Sequence, residues 1–145
     1  MATPTASASA MSKRVERVGM FNQEDGMDPI EACRRAVVDA RTVVAAVRPE
    51  DMAKPTPCTE WDVRLLIAHM VGVCRSFAEA LRGGTMDAAV AKGGATYADD
   101  DSIAAYEWAA DEVMREWEAP GALDKTLQLP LGPTPAAVAI KIFTA

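Results

Sequence analysis

The chain has 145 residues, of which 50% are hydrophobic and 25% charged, and its formal net charge is −6. This length is enough for one domain of ordinary size and too short for two. Acidic side chains outnumber basic ones, which argues against a nucleic-acid partner because phosphate binding depends on clustered Lys and Arg. No apolar run reaches the roughly 18 residues that a membrane-spanning helix needs, so we expect no membrane partner.

The three cysteines, Cys33, Cys58 and Cys74, form an odd set without Cys-x-x-Cys spacing. This pattern disfavours both a disulfide framework and a zinc site made of cysteines alone. Free cysteine behaves as a small hydrophobe, so we expect all three to pack against apolar neighbours, although Cys33 or Cys58 could reach a metal by tertiary contact. A reduced, cytoplasmic location is the default for such a chain.

The first 27 residues differ from the rest of the chain. They open with small residues of low complexity, and their three basic and three acidic side chains cancel. They contain no apolar core of the kind that a secretory signal requires. We therefore predict a disordered tail over 1–27 and one domain over 28–145.

Two amphipathic helices are predicted in the first half of this domain. One covers about 29–48, with Asp28 as N-cap and Pro29 at the first helical position. The second covers about 63–82, with Asp62 as N-cap, and a Gly-Gly pair ends it. Each has an apolar stripe at helical spacing, which predicts a face buried against other helices.

A third helix is predicted over about 102–118, after a Gly/Ala/Asp-rich connection, with Asp101 as its cap. Its Trp108 falls on the polar side. We expect a connecting segment to cover this side chain, the alternative being a surface for a partner. The stretch 120–133 is extended because its prolines prevent a regular helix, and the alternation over 126–129 is typical of a short edge strand.

A fourth helix is predicted to begin with Thr134 as N-cap and Pro135 at the first position. Its apolar pattern continues to Ala145 without a stop signal. We expect either a short helix or a fragment of a longer domain. Four apolar stripes joined in this way predict an all-α protein, a four-helix bundle whose last helix is cut short.

His69 is the only histidine of the chain, so any histidine chemistry must use it. It lies at the edge of the apolar arc of the second helix. A single imidazole in such a place is either a structural side chain, a metal ligand or an acid-base group. The chain has no P-loop, no dinucleotide glycine motif and no Gly-x-Ser-x-Gly motif.

The segment around His69 carries a recognisable motif. Residues 56–72 fit the pattern T-P-C-x-x-W-D-V-R-x-L-x-x-H-x-V-G. This run resembles the metal-binding domain of mycothiol-dependent maleylpyruvate isomerase, of the actinobacterial type within the DinB-like superfamily. The resemblance covers about 28–145 and implies a four-helix bundle. Outside the motif it is a resemblance of pattern alone.

The resemblance also implies a metal site. Family members hold a divalent metal, usually taken as zinc, through three side chains, and the first of them corresponds to His69. The other two belong to a Glu-x-x-x-His-x-Trp-Asp motif on the last long helix. In this chain the segment 140–145 resembles the stretch that leads into that motif, and two of the three ligands are absent. One imidazole alone leaves a metal largely hydrated.

The function implied is that of a thiol-dependent isomerase or transferase. The metal would bind a small thiol such as mycothiol, and the helix faces would select a small-molecule substrate. Whether this chain is active as an enzyme stays open, because most of the expected ligand set is missing. The alternative is a metal-free bundle that acts as an interaction module. It would form a homodimer through apolar side chains of the last helix, namely Val138, Ile140, Ile142 and Phe143.

Overall fold

Four α-helices and one β-hairpin make up the part of the chain that the computed structural model describes, residues 26–86 and 102–145. In chain order they are α1 (Pro29–Ala45), α2 (Val63–Leu81), α3 (Ser102–Glu118), β1 (Thr126–Leu129), β2 (Gly132–Pro135) and α4 (Ala136–Thr144). The prediction of an all-α, four-helix fold is confirmed. The predicted cap Asp101 and the predicted tail, apart from its last two residues, lie outside the described residues.

The first two helices begin where the sequence predicts. The Asp28 carboxylate accepts a hydrogen bond of 3.3 Å from the backbone N–H of Glu31, and Asp62 accepts one of 2.9 Å from that of Leu65. Each cap satisfies a backbone N–H that has no partner inside the helix. Helix α1 ends at Ala45, three residues earlier than predicted, because its last turn tightens before Pro49.

The hairpin confirms the predicted strand over 126–129 and shows its partner. Strands β1 and β2 pair antiparallel, with Thr134 opposite Leu127. The predicted N-cap Thr134 is therefore wrong by one residue: its backbone belongs to the hairpin, and Pro135 caps α4 without a side-chain hydrogen bond. The Thr134 hydroxyl donates instead to the carbonyl of Gly132 at 3.0 Å. Gly132 has a φ of 108°, which a residue with a side chain rarely adopts.

The core lies between the helices. Helix α2 packs along α3, while α1 packs against α3 and α4. Three aromatic rings join α2, α3 and α4: the ring centroid of Phe143 lies 5.1 Å from that of Phe77 and 6.1 Å from that of Trp117. Leu127 of the hairpin is also fully buried. The cluster therefore holds the short helix α4 on the other helices.

Ion pairs connect the outer faces of the helices. Arg82, the C-cap of α2, contacts Glu112 and Glu116 of α3, and Arg41 of α1 contacts Asp111. Pairs with this much solvent exposure contribute about 0–1 kcal/mol each. The apolar core therefore supplies most of the stability. No helix in the described ranges is both long enough and apolar enough to cross a membrane.

Candidate ligand-binding site around His69

The loop between α1 and α2 folds back on the start of α2. The backbone N–H groups of Val63 and Arg64 donate to the carbonyls of Lys54 and Met52, each at 3.0 Å. The hydroxyl of Thr56 donates to the carbonyl of Trp61 at 2.8 Å. These bonds fix the backbone on both sides of the Trp61 side chain.

Trp61 packs on His69. The two ring centroids lie 4.8 Å apart, and the ring planes are tilted by 42°. The two residues that mark the sequence motif are therefore in direct contact, with the aromatic ring in the loop and the imidazole on the helix. The loop geometry and the position of His69 depend on each other through this contact.

The imidazole of His69 is only partly exposed. Its Nδ1 atom is buried and has no hydrogen-bond partner among the described residues. Burial lowers the pKa of His69 below its usual 6.5, so the ring is neutral at pH 7. A neutral imidazole is the form that binds metals and accepts protons.

His69 lies on the wall of a cavity of about 350 Å³. All four helices contribute to its lining. Most of the lining side chains are apolar, and the polar ones are His69, Cys74, Tyr106 and Thr144. Cys74 lies about 140° from His69 around an ideal helix. The cavity nevertheless reaches both side chains, which helical spacing alone does not predict.

Two of the three cysteines pack as expected. Cys33 and Cys74 are buried, and the thiol of Cys33 lies 3.7 Å from the sulfur of Met114. Burial raises the pKa of both thiols to about 12, so they stay protonated at neutral pH. Cys58 is exposed on the loop, so the expectation of apolar packing is wrong for this residue.

The described residues do not form a complete metal site. No group of three or more His, Cys, Asp or Glu residues in the described ranges is placed to hold a metal ion. The neutral ring of His69, with its unpartnered Nδ1, fits one ligand of such a site, and that role stays a prediction. Glu31, an acidic side chain on the first turn of α1, would be a candidate for a missing ligand, but it forms ion pairs with Arg34 and Arg35. The acidic residues 99–101 lie outside the described part.

Trp108 lies on the outer surface of α3. Its side chain is 57% exposed, so the described connection over 120–133 does not cover it. Most of the other connection expected to cover it, 83–100, lies outside the described residues. The guanidinium carbon of Arg75 lies 5.3 Å from the centre of a Trp108 ring. Stacking by this cation covers part of the ring from the neighbouring helix, a contact that the sequence does not indicate.

The fold and the cavity define an all-α bundle domain with an apolar pocket beside a single neutral histidine. Residues 33–143 match the family model of the mycothiol maleylpyruvate isomerase N-terminal domain, and the chain belongs to this family. The family assignment made from the motif is thereby confirmed. It does not by itself identify a ligand.

Two relatives, uncharacterized proteins from two strains of Mycobacterium tuberculosis, are each 34% identical to this chain over 122 residues. The aligned region covers 81% of this chain and 60% of each relative. The chain thus spans about 60% of the length of these relatives. No solved structure is significantly similar to it.

Three cavity residues, Cys74, Tyr106 and Phe143, were not predicted as site residues. Each lies on the apolar face of its helix, where sequence periodicity cannot separate a cavity wall from a packed core. His69 was found because it is the only histidine and lies in the motif. No signal within the sequence would have selected the other three.

Proposed function

We propose that this domain binds a small thiol and a small-molecule substrate at the His69 cavity, as part of a thiol-dependent isomerase or transferase. In this proposal His69 is one ligand of a divalent metal, which the family resemblance implies is zinc, and mycothiol is the thiol. The observation that carries the proposal is the neutral His69 imidazole on the wall of an apolar cavity, inside the family motif.

The chain's own side chains would have distinct roles in this site. Trp61 packs on the His69 ring and limits its rotation. The apolar walls, including Val73 and Phe143, would bind the substrate and exclude water. A bound divalent metal would supply stabilisation of a thiolate near neutral pH.

The protonated state of the buried thiols favours a nucleophile that comes from a small molecule and not from the chain. Cys74 is the cysteine on the cavity wall, and burial keeps its thiol protonated at neutral pH. A protonated thiol is a poor nucleophile, since the thiolate is the reactive form. A reaction that needs a thiolate in this cavity would therefore take it from a small molecule.

Zinc binding tests the proposed role of His69. We expect the purified chain to bind zinc only weakly, because one imidazole leaves the ion largely hydrated, and we expect the His69→Ala variant to bind it more weakly still. The measurement is a zinc titration followed by NMR. Cys58→Ser is the matched control, since it removes an exposed thiol that could bind zinc adventitiously. An unchanged zinc affinity in His69→Ala, or a loss of affinity in Cys58→Ser alone, would contradict the proposal.

The second candidate, a dimerising module, has one supporting observation. Val138 and Ile142 lie one turn apart on α4 and are 49% and 47% exposed. Ile140 is buried and Phe143 joins the aromatic cluster, so two of the four side chains assigned to this surface are unable to serve it. A homodimer would cover the two exposed side chains.

Sedimentation velocity tests this candidate. If the chain is a dimerising module, it sediments as a dimer at micromolar concentration. Val138→Glu then shifts it to the monomer, because a charge is costly to bury. Val43→Glu, at an apolar position of α1 that is 70% exposed, is the control and should leave the dimer intact. A folded monomer for the unsubstituted chain would remove this candidate.

A further inference from the structure

Tyr106 adds a second polar group to the wall of the His69 cavity. The two residues reach the same cavity from different helices, His69 from α2 and Tyr106 from α3. The side chain of Tyr106 is 3% exposed and belongs to the apolar core of the bundle. Packing therefore holds its ring in place beside the cavity.

The hydroxyl is the polar end of this buried side chain. A buried tyrosine O–H group usually has a hydrogen-bond partner. No hydrogen bond within the described residues engages the Tyr106 hydroxyl. The other hydroxyl of the wall is different, since Thr144 donates to the carbonyl of Ile140 at 3.0 Å. Tyr106 is thus the hydroxyl of this wall that can donate to a molecule in the cavity.

The phenol of Tyr106 is a donor and not a base at neutral pH. Burial and the nearby Cys74 thiol raise the pKa of Tyr106 to about 12, whereas the nearby Arg41 guanidinium acts in the opposite direction. The O–H group therefore keeps its proton. A protonated phenol can donate to a carbonyl oxygen of a ligand, and this bond strengthens when the oxygen gains negative charge.

The chemistry of the proposed function produces such an oxygen. When a thiolate adds to a double bond conjugated with a carbonyl group, a carbon–sulfur bond forms and the π electrons move onto the carbonyl oxygen. The enolate formed allows rotation about the former double bond, and return of the electrons expels the same thiolate. Atoms and electrons balance without an oxidant or a reductant. A donor at that oxygen stabilises the enolate more than the starting carbonyl, so it lowers the barrier.

We infer that Tyr106 is a catalytic residue of the His69 cavity, whose hydroxyl donates a hydrogen bond to the carbonyl oxygen of the substrate and stabilises that oxygen as an enolate. The inference rests on the proposed function in taking this cavity as the substrate site. It gives the two polar residues separate roles, with His69 on the side of the thiol and Tyr106 on the side of the substrate. A Tyr106 that served the core alone would act through its ring and would make no bond to a ligand.

A simple ketone tests this role. The probe is cyclohexanone labelled with carbon-13 at the carbonyl, added to the full chain and followed by NMR, which reports both the affinity and the chemical shift of the bound carbonyl carbon. Tyr106→Phe keeps the ring and removes the hydroxyl. We expect it to weaken binding by about two- to tenfold, as for the loss of one neutral hydrogen bond. We also expect a lower shift of the bound carbonyl carbon, because a hydrogen bond to the oxygen withdraws electron density from this carbon.

Thr144→Val is the matched control, since it removes the hydroxyl that is already bonded within α4. It should leave the affinity and the carbonyl shift unchanged. His69→Ala tests the imidazole as the donor in place of the phenol. A carbonyl shift that is unchanged in Tyr106→Phe, or that changes in His69→Ala alone, would overturn the inference. A chain that does not bind cyclohexanone at millimolar concentration would overturn it as well.

The zinc titration and the ketone titration separate the two proposals. A zinc affinity unchanged in His69→Ala, together with a lower carbonyl shift in Tyr106→Phe, would contradict the metal role of His69 and support the role of Tyr106. Weaker zinc binding in His69→Ala, together with an unchanged carbonyl shift in Tyr106→Phe, would leave the proposed function standing and overturn the inference.

Discussion

Replacing Trp117 with alanine should lower the free energy of unfolding by about 3–5 kcal/mol. The side chain is 1% exposed and contacts Phe77 and Phe143, so its removal opens a cavity where three helices meet. Its indole N–H has no hydrogen-bond partner among the described residues, so the loss comes from packing. Domains of this kind have only about 5–15 kcal/mol of stability in total. Urea unfolding followed by circular dichroism measures the difference.

Trp108→Ala is the matched control, because it removes the same side chain from the opposite environment. Trp108 is 57% exposed and its one described ring contact is the Arg75 guanidinium. Loss of an exposed cation–π contact costs about 0.5–1 kcal/mol. Equal losses for the two tryptophan variants would show that Trp117 does not occupy the core as described.

The second large loss in the free energy of unfolding is expected for a substitution in the hairpin. Leu127→Ala should cost about 2–5 kcal/mol, because Leu127 is fully buried and β1 packs on α2 and α4. Loss of this side chain also loosens the hairpin that leads directly into α4. The measurement is again urea unfolding, with hydrogen exchange at the amide of Thr134, which lies opposite Leu127.

Leu131→Ala tests whether the loss of stability in Leu127→Ala comes from the burial of that side chain. Leu131 lies at the tip of the same hairpin and is 87% exposed. Exposed substitutions away from special features usually change stability by less than about 0.5 kcal/mol. A loss at Leu131 as large as that at Leu127 would contradict the packing described for the hairpin.

The helices could be predicted from the sequence because their signals are local. Asp28 and Asp62 cap the helices that follow them, and the apolar stripes repeat at helical spacing. Thr134 shows the limit of that reasoning. Threonine is a good cap residue, yet its backbone is taken by pairing with Leu127, and this pairing depends on the whole hairpin.

The candidate site could be predicted only in part. His69 follows from the motif, but its contact with Trp61 depends on the fold of the loop, and its cavity depends on three other helices. Tyr106, on α3, belongs to the wall through tertiary packing alone. The stacking of Arg75 on Trp108 is likewise a tertiary contact between two helices, which periodicity within one helix does not show.

The hairpin has a further consequence for how copies of this chain can associate. The outer strand β2 contains Pro133 and Pro135, which have no amide N–H to offer to an incoming strand. On the other side, the carbonyl of Gln128 in β1 accepts the N–H of Met86 at 2.9 Å. Both edges are therefore poor templates for aggregation through added strands. Among the described elements, helix faces are therefore a more favourable surface for self-association than the hairpin edges.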